Sequence, residues 1–319
     1  MINENKILDI PKNEHWFDHN FIFLRKYLIK TIEYLRSYLN QHNLKNIDYI
    51  RITHSHEIYV KKYFNLIDEF RLKEINKFIN EIGLKGIIFR DNNMADGVYF
   101  NDNILHQGYP YFLGMTTPNR FRIEDRKFDK KFLCLNLRPR PYRFKILEFF
   151  YQNGIDKNTY LTHNFPILDK DVKTLDLNEH LDSLYENPFA ASSYIPTYLN
   201  YSTFCNIITE TVFYGNNINF ITEKTEKCFS AGQPFIVVSN PYFLKKLKEL
   251  GYKTFSDFWD ESYDDEEDDE IRMQMIFNEI KKINLLSYDE LSKMYSKMIP
   301  ILKHNQKINS DWYLKNFNK

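Results

Sequence analysis

Between Phe220 and Ser239 the chain places Glu223, Lys224, Glu226 and Lys227 in one short charged run. A small-residue break, Ser230-Ala-Gly232, and an apolar stretch from Phe235 to Val238 follow it. A carboxylate such as Glu223 can accept from both hydroxyls of a ribose. An ammonium such as Lys224 meets phosphate as a point charge. Thr222 and Lys227 flank this pair, and Phe220 precedes it. The competing reading is an exposed helix with ordinary alternating charge. A second cluster lies upstream. Asn136 ends an apolar run, and Arg138-Pro-Arg-Pro-Tyr-Arg143 follows it. Arg138, Arg140 and Arg143 bring three guanidinium groups to a helix start stiffened by Pro139 and Pro141. Diphosphates are held by bidentate arginine contacts and by free amides at helix N-termini.

The first half of the chain offers groups that take a proton. Asp91 follows the short apolar run Lys85 to Phe89, at the carboxyl end where α/β proteins build sites. His54 and His56 share one face of an alternating run with Ile50 and Ile52. A carboxylate or imidazole here could serve as general base toward a hydroxyl. Asp96 and Glu57 are weaker candidates. An Asp-Asn-Asn loop is also ordinary turn chemistry, and the histidines equally suit hydrogen-bonded strand ends. A His-x-His pair can bind zinc, but no clear third and fourth ligands follow, so no metal is expected.

These residues need elements to hold them. Periodicity predicts helices over Phe21 to Gln41 and Ile67 to Gly83, with strands over Ile47 to Ile58 and Lys85 to Phe89. Farther on it predicts strands over Phe132 to Asn136, Thr159 to Thr162, Phe204 to Glu210 and Pro234 to Val238. Helices are expected over Phe144 to Tyr151, Glu223 to Ser230, Pro241 to Leu250, Ile271 to Ile283 and Leu285 to Leu302. The alternation is the α/β signature. The acidic run Asp260 to Glu270 reads as a solvated loop leading into the negative first turn of the next helix. A chain of 319 residues exceeds what one core usually serves. The charge-dense segment Glu124 to Lys131 is the expected boundary. It gives an N-terminal domain over 1–128, a ligand-binding domain over 129–300 and a tail over 301–319. Return of that tail onto the first domain is one option.

The order of the motifs resembles that of α1,3-fucosyltransferase-like enzymes. That family carries a strand ending in glutamate, a Tyr-x-x-Glu-Lys run, a small-residue turn and an apolar strand. Here these positions are Asn206 to Glu210, Phe220-Ile-Thr-Glu-Lys224 and Ala231 to Val238, with Leu135 to Arg143 upstream. The resemblance spans about residues 130 to 250. It implies a GT-B architecture, two Rossmann-like domains facing a cleft, and a nucleotide-sugar donor, GDP- or UDP-linked, held by the second domain without a metal. It implies that Glu223 meets the ribose, that Lys224 and Arg143 meet the diphosphate, and that Glu210 lies near the sugar. The family tyrosine is Phe220 here, which separates this chain from a strict guanine and fucose preference. No acceptor motif is recognisable. No cofactor beyond the co-substrate is expected.

Composition narrows the alternatives. Lys+Arg and Asp+Glu each total 43, so the formal charge is zero. That argues against affinity dominated by a phosphate backbone. Aromatics make up 17% of residues. They fill cores, or they stack on bases and sugars. Three cysteines without a Cys-x-x-Cys pair speak against a disulfide framework and suit a reducing cytoplasm, the host's if the protein is viral. No run reaches about 18 apolar residues and Met1 to Lys6 opens no signal peptide, so a soluble, virus- or bacterium-like version is expected. The resemblance implies an acceptor hydroxyl on a glycan or glycoconjugate. Two alternatives remain: a phage-type transferase acting on a hydroxylated DNA base, and an inactive binding or structural protein on the same fold.

Overall fold

The computed structural model describes residues 3–10, 25–53, 69–91, 103–108, 113, 122–124, 126–136, 138–163, 165–168, 171, 197–215 and 219–317. The chain divides into two units, Met1–Tyr111 and Phe112–Lys319. The division falls ahead of the charge-dense segment. Ile123 and Phe128 are already buried in the second unit, where Phe128 meets Phe204 and Tyr295 edge-on at 5.6 and 5.3 Å.

The first unit is a parallel sheet of β1 (Ile7–Ile10), β2 (Tyr49–Thr53), β3 (Gly86–Asp91) and β4 (Ile104–Gly108), in that spatial order. Helices α1 (Arg25–Leu39) and α2 (Glu69–Ile82) connect the first three strands. Each crossover steps in the same direction. Right-handed connections therefore put both helices on one face. Ile32, Leu35 and Leu39 of α1 and Phe78 and Ile79 of α2 bury that face with Ile10, Ile50, Ile52, Ile87 and Phe89. The other face is charged. Arg51 forks onto both Asp9 oxygens at 2.5 and 2.6 Å and reaches Glu4 at 2.7 Å. Arg90 donates twice to Gln107.

The second unit is also a parallel sheet, of β5 (Lys130–Asn136), β6 (Thr159–His163), β7 (Thr203–Thr209) and β8 (Phe235–Val238). Its spatial order is β6-β5-β7-β8. Helix α3 (Pro141–Gln152) carries the chain from β5 out to β6, and α5 (Glu223–Ala231) carries it from β7 out to β8 on the other side. The short α4 (Thr197–Tyr201) leads into β7. The two crossovers diverge, so α3 and α5 cover opposite faces. Residues of β8 are buried throughout, as a sheet with helices on both sides requires.

Beyond β8 come α6 (Phe243–Glu249), α7 (Asp269–Leu285) and α8 (Tyr288–Phe317). On the α3 face, Phe149 stacks on Phe277 of α7 at 3.9 Å. On the α5 face, Asn309 of α8 donates to Glu226 at 2.8 Å and to Ser230 at 2.7 Å. Gly232 ends α5 at φ +61, where a Cβ would lie 2.5 Å from Ile123 Cγ1. Glycine satisfies both the left-handed turn and the close approach.

Two sequence expectations change. Residues 301–317 are not a separate tail but the continuation of α8 through Pro300. Buried Leu302, Asn305 and Asn309 hold the helix past the proline. Asn305 bonds both the N–H and the C=O of Lys253 at 2.8 Å. The acidic run is also less solvated than expected. Asp268 does cap α7, accepting from Glu270 and Ile271 amides at 2.9 Å. Asp264, however, is buried and accepts from the Leu244 and Lys245 amides at 2.7 and 2.8 Å, capping α6. Glu261 is likewise turned inward, accepting from Thr254 and Phe255. Free amides at helix starts draw carboxylates out of water. The α/β class with parallel sheets is as expected.

Candidate functional site

The strand order of the second sheet reverses between β5 and β7. In open α/β sheets that reversal opens a crevice outside the carboxyl ends of the two strands, because the following helices leave on opposite faces. Two side chains stitch this edge. Asn136 Oδ1 accepts from Thr209 Oγ1 at 2.7 Å, and Asn136 Nδ2 donates to Cys134 Sγ at 3.2 Å. Burial pushes the Cys134 thiol up to about 12, so it stays protonated and is no nucleophile. Arg143, in the first turn of α3, is 3% exposed. Its guanidinium donates to the carbonyls of Arg138 at 3.0 Å, Thr209 at 2.9 Å and Glu210 at 3.4 Å.

Glu210 follows β7 and is fully buried. Its carboxylate accepts from Thr211 N at 3.1 Å, Thr222 N at 3.2 Å, Thr222 Oγ1 at 2.7 Å and Thr225 Oγ1 at 2.6 Å. Four donors fill both oxygens, which is how a buried carboxylate is accommodated. The group ties the end of β7 to the start of α5. Thr222 is the N-cap of that helix, accepting from Lys224 N at 3.3 Å. Lys224 Nζ donates to Thr222 Oγ1 at 3.1 Å and lies 3.4 Å from Glu223 and 4.0 Å from Glu210. The N-terminus of α5 thus presents an ammonium held in place by a threonine hydroxyl.

Around it, Glu223 and Lys227 are half-buried. Burial works to raise the Glu223 carboxyl, but the Lys224 and Lys227 cations outweigh it and hold the group below the usual range. Burial lowers the Lys227 ammonium against the pull of Glu223. At the start of α3, Arg138 is exposed and Arg140 is the N-cap without a side-chain cap. The Arg140 Nε is buried and has no hydrogen-bond partner among the described residues. Tyr142 donates its hydroxyl to the Glu210 carbonyl, and burial pushes that hydroxyl up to about 12, so it remains a donor.

The structure thus gathers Asn136, Arg143, Glu210, Thr222, Glu223 and Lys224 at one sheet edge, with Arg138 and Arg140 beside them. Arg143 takes backbone carbonyls as partners, and Phe220 is buried, its ring turned into the core. Asp91 closes β3 at the carboxyl edge of the first sheet. His56, like His54, Glu57 and Asp96, lies outside the described residues. Sequence reasoning missed Thr209, Thr225 and Tyr142. The Thr222-x-x-Thr225 spacing, one turn apart on a helix opening, was the signal for one of them. Among the described residues no three His, Cys, Asp or Glu side chains are grouped to hold a metal ion. None of the described helices is long and apolar enough to cross a membrane.

No family model matches the sequence, and no curated protein matches it. Among solved structures the chain is similar to a spinosyn rhamnosyltransferase, with 9% identity over 90% of this chain and 78% of that one, at a TM-score of 0.33. It is also similar to an α1,3-fucosyltransferase, with 12% identity over 95% and 91% of the two chains, at 0.32. A structure of α1,3-fucosyltransferase with GDP-fucose shows 12% identity over 92% and 89%, also at 0.32.

Proposed function

We propose that this chain is a glycosyltransferase of GT-B type that moves a sugar from a nucleotide-sugar donor to an acceptor hydroxyl. The observation that carries the reading is the reversal between β5 and β7. There two helix N-termini, α3 with Arg138 and Arg140 and α5 with Lys224, open onto one strand edge. Helix N-termini and cations together favour an anion. The diphosphate of a GDP- or UDP-linked donor fits that charge. Glu223, kept ionised by its two lysine neighbours, accepts from the ribose hydroxyls. Arg143 and Glu210 are positioning residues. They fix strand ends and helix starts rather than touch the donor.

The acceptor oxygen attacks the anomeric carbon, and the bond to the diphosphate breaks with its electron pair leaving on the diphosphate. Lys224 and Arg140 stabilise that growing charge in place of a metal. The acceptor proton passes to a general base, for which Asp91 is the candidate that the sequence offers. One displacement inverts the anomeric centre. The acceptor is a glycan or glycoconjugate hydroxyl. The test is calorimetry with GDP, UDP and CMP, then a transfer assay with the matching sugar donors. Binding of one nucleoside diphosphate and turnover of its sugar are expected. Absence of binding to all of them overturns the reading.

A further inference from the structure

Tyr214 lies in the turn after β7, one residue before Gly215 at φ +82. It is 42% exposed, whereas both rings against it are 2% exposed. Tyr214 stands edge-on to Phe213 at 5.2 Å and 85°, and to Tyr142 at 6.2 Å and 78°. Phe213 and Tyr142 are themselves stacked at 5.3 Å. The Arg272 guanidinium backs Phe213 at 4.5 Å and is 1% exposed. It also bonds the carbonyl of Ser239, just after β8, and that of Phe213, in the loop after β7. Arg272 therefore ties the backbone of Phe213 to the end of the neighbouring strand. Tyr142 connects it to the site through its bond to the Glu210 carbonyl, while the Glu210 carboxylate holds the α5 start.

Surface tyrosines are usually held by little. This one is braced on two sides by buried rings and leaves part of its surface in water at the carboxyl edge. A braced aromatic loses little freedom when a flat ligand covers it. The planar base is the one flat group of a nucleotide. We propose that Tyr214 is the stacking platform for the base of the bound nucleotide, which rests on the nucleotide-sugar reading above. Stacking is tolerant of base identity, since every base has a π face. This aromatic contact therefore does not by itself demand guanine.

The experiment is calorimetry of the full chain with the nucleoside diphosphate that binds best, and with inorganic pyrophosphate. Tyr214→Ala is expected to weaken the nucleoside diphosphate about tenfold or more and to leave pyrophosphate unchanged. Tyr214→Phe retains the platform and should keep wild-type affinity for both. Lys224→Ala should weaken both ligands. If Tyr214→Ala binds the nucleotide as wild type does while Lys224→Ala does not, the platform is wrong and the donor site stands. Equal weakening of pyrophosphate by Tyr214→Ala also overturns the platform, since the loss then lies in the site's structure. If the wild type binds no nucleotide, both readings fall together.

Discussion

Among the described residues the two sheets have the same number of strands and the same parallel pairing, yet they arrange their polar side chains differently, and it is the second that gathers the candidate donor-site groups. The first sheet runs β1-β2-β3-β4 without reversal, and both described crossover helices lie on one face. Its polar side chains neutralise one another across the other face, Arg51 with Asp9 and Glu4. The second sheet reverses between β5 and β7, so two helices start from one edge toward opposite faces. There the polar groups fix backbone. Asn136, Arg143 and Glu210 bond strand ends and helix starts, and Lys224 and Arg140 are the contacts proposed for a ligand. Chain order, more than composition, separates a charged surface from a binding edge.

The comparison can be broken first at Glu210. Glu210→Ala removes the acceptor for four donors, three of them buried, and each buried one is worth about 1–3 kcal/mol when left unmade. We expect a loss of at least about 4 kcal/mol and a fall in Tm of roughly 10 °C, read by thermal denaturation. A smaller probe uses Asp264, also in the second unit. Burial raises its carboxyl from 3.8 to about 6 despite the α6 amides it caps. The folded state holds this proton more tightly than the unfolded chain. Its contribution is therefore greatest below about pH 4, declines as pH rises from about 4 to 6, and is constant above. The expected span is about 2–3 kcal/mol. Subtracting Asp264→Asn stability from that of wild type across pH 4 to 7 should reveal that falling curve; a flat difference refutes it.

Lys224→Ala tests the ligand side alone. The side chain is 27% exposed, so the fold should survive. Nucleoside diphosphate affinity should drop about tenfold or more, or about 1.4 kcal/mol, by calorimetry. The smallest effect belongs to the first sheet. Arg51→Met keeps the apolar stem and frees Asp9 and Glu4, whose side chains are 59% and 61% exposed and hydrate readily. Chemical denaturation should register no more than about 1 kcal/mol. A loss as large as that at Glu210 would erase the distinction between the two sheets.

Much of the fold was legible in the sequence, for a physical reason. Runs such as Phe132 to Asn136 and Phe235 to Val238 are apolar on both faces, as strands between helix layers must be. Gly83, Gly232 and Gly251 punctuate helix ends because each takes a positive φ. Candidate residues at the second sheet's edge were legible too, since charge beside a strand end is visible in one dimension. Their division of labour was not. Arg143 and Arg140 differ by three positions in the chain, yet the Arg143 guanidinium bonds three backbone carbonyls while Arg140 caps the helix start without a side-chain bond. That depends on which strand lies beside β5, and strand order leaves no local trace. The length of α8 was hidden by Pro300, whose cost is met by contacts over 50 or more residues away in sequence, such as Asn305 with Lys253.

The long helix α8 also sets when each unit can form during synthesis. Tyr295 donates to the carbonyls of Ile123 and Gly232, the first of them 172 residues earlier in the chain. Asn309 donates to the buried carboxylate of Glu226. The second unit therefore reaches its native packing only after α8 has left the ribosome, while the first, contained within Met1–Tyr111, has its partners much sooner. Contacts this distant in sequence fold slowly. A nascent chain stalled between α7 and α8 should carry a protease-resistant first unit and a second unit that is still open to cleavage.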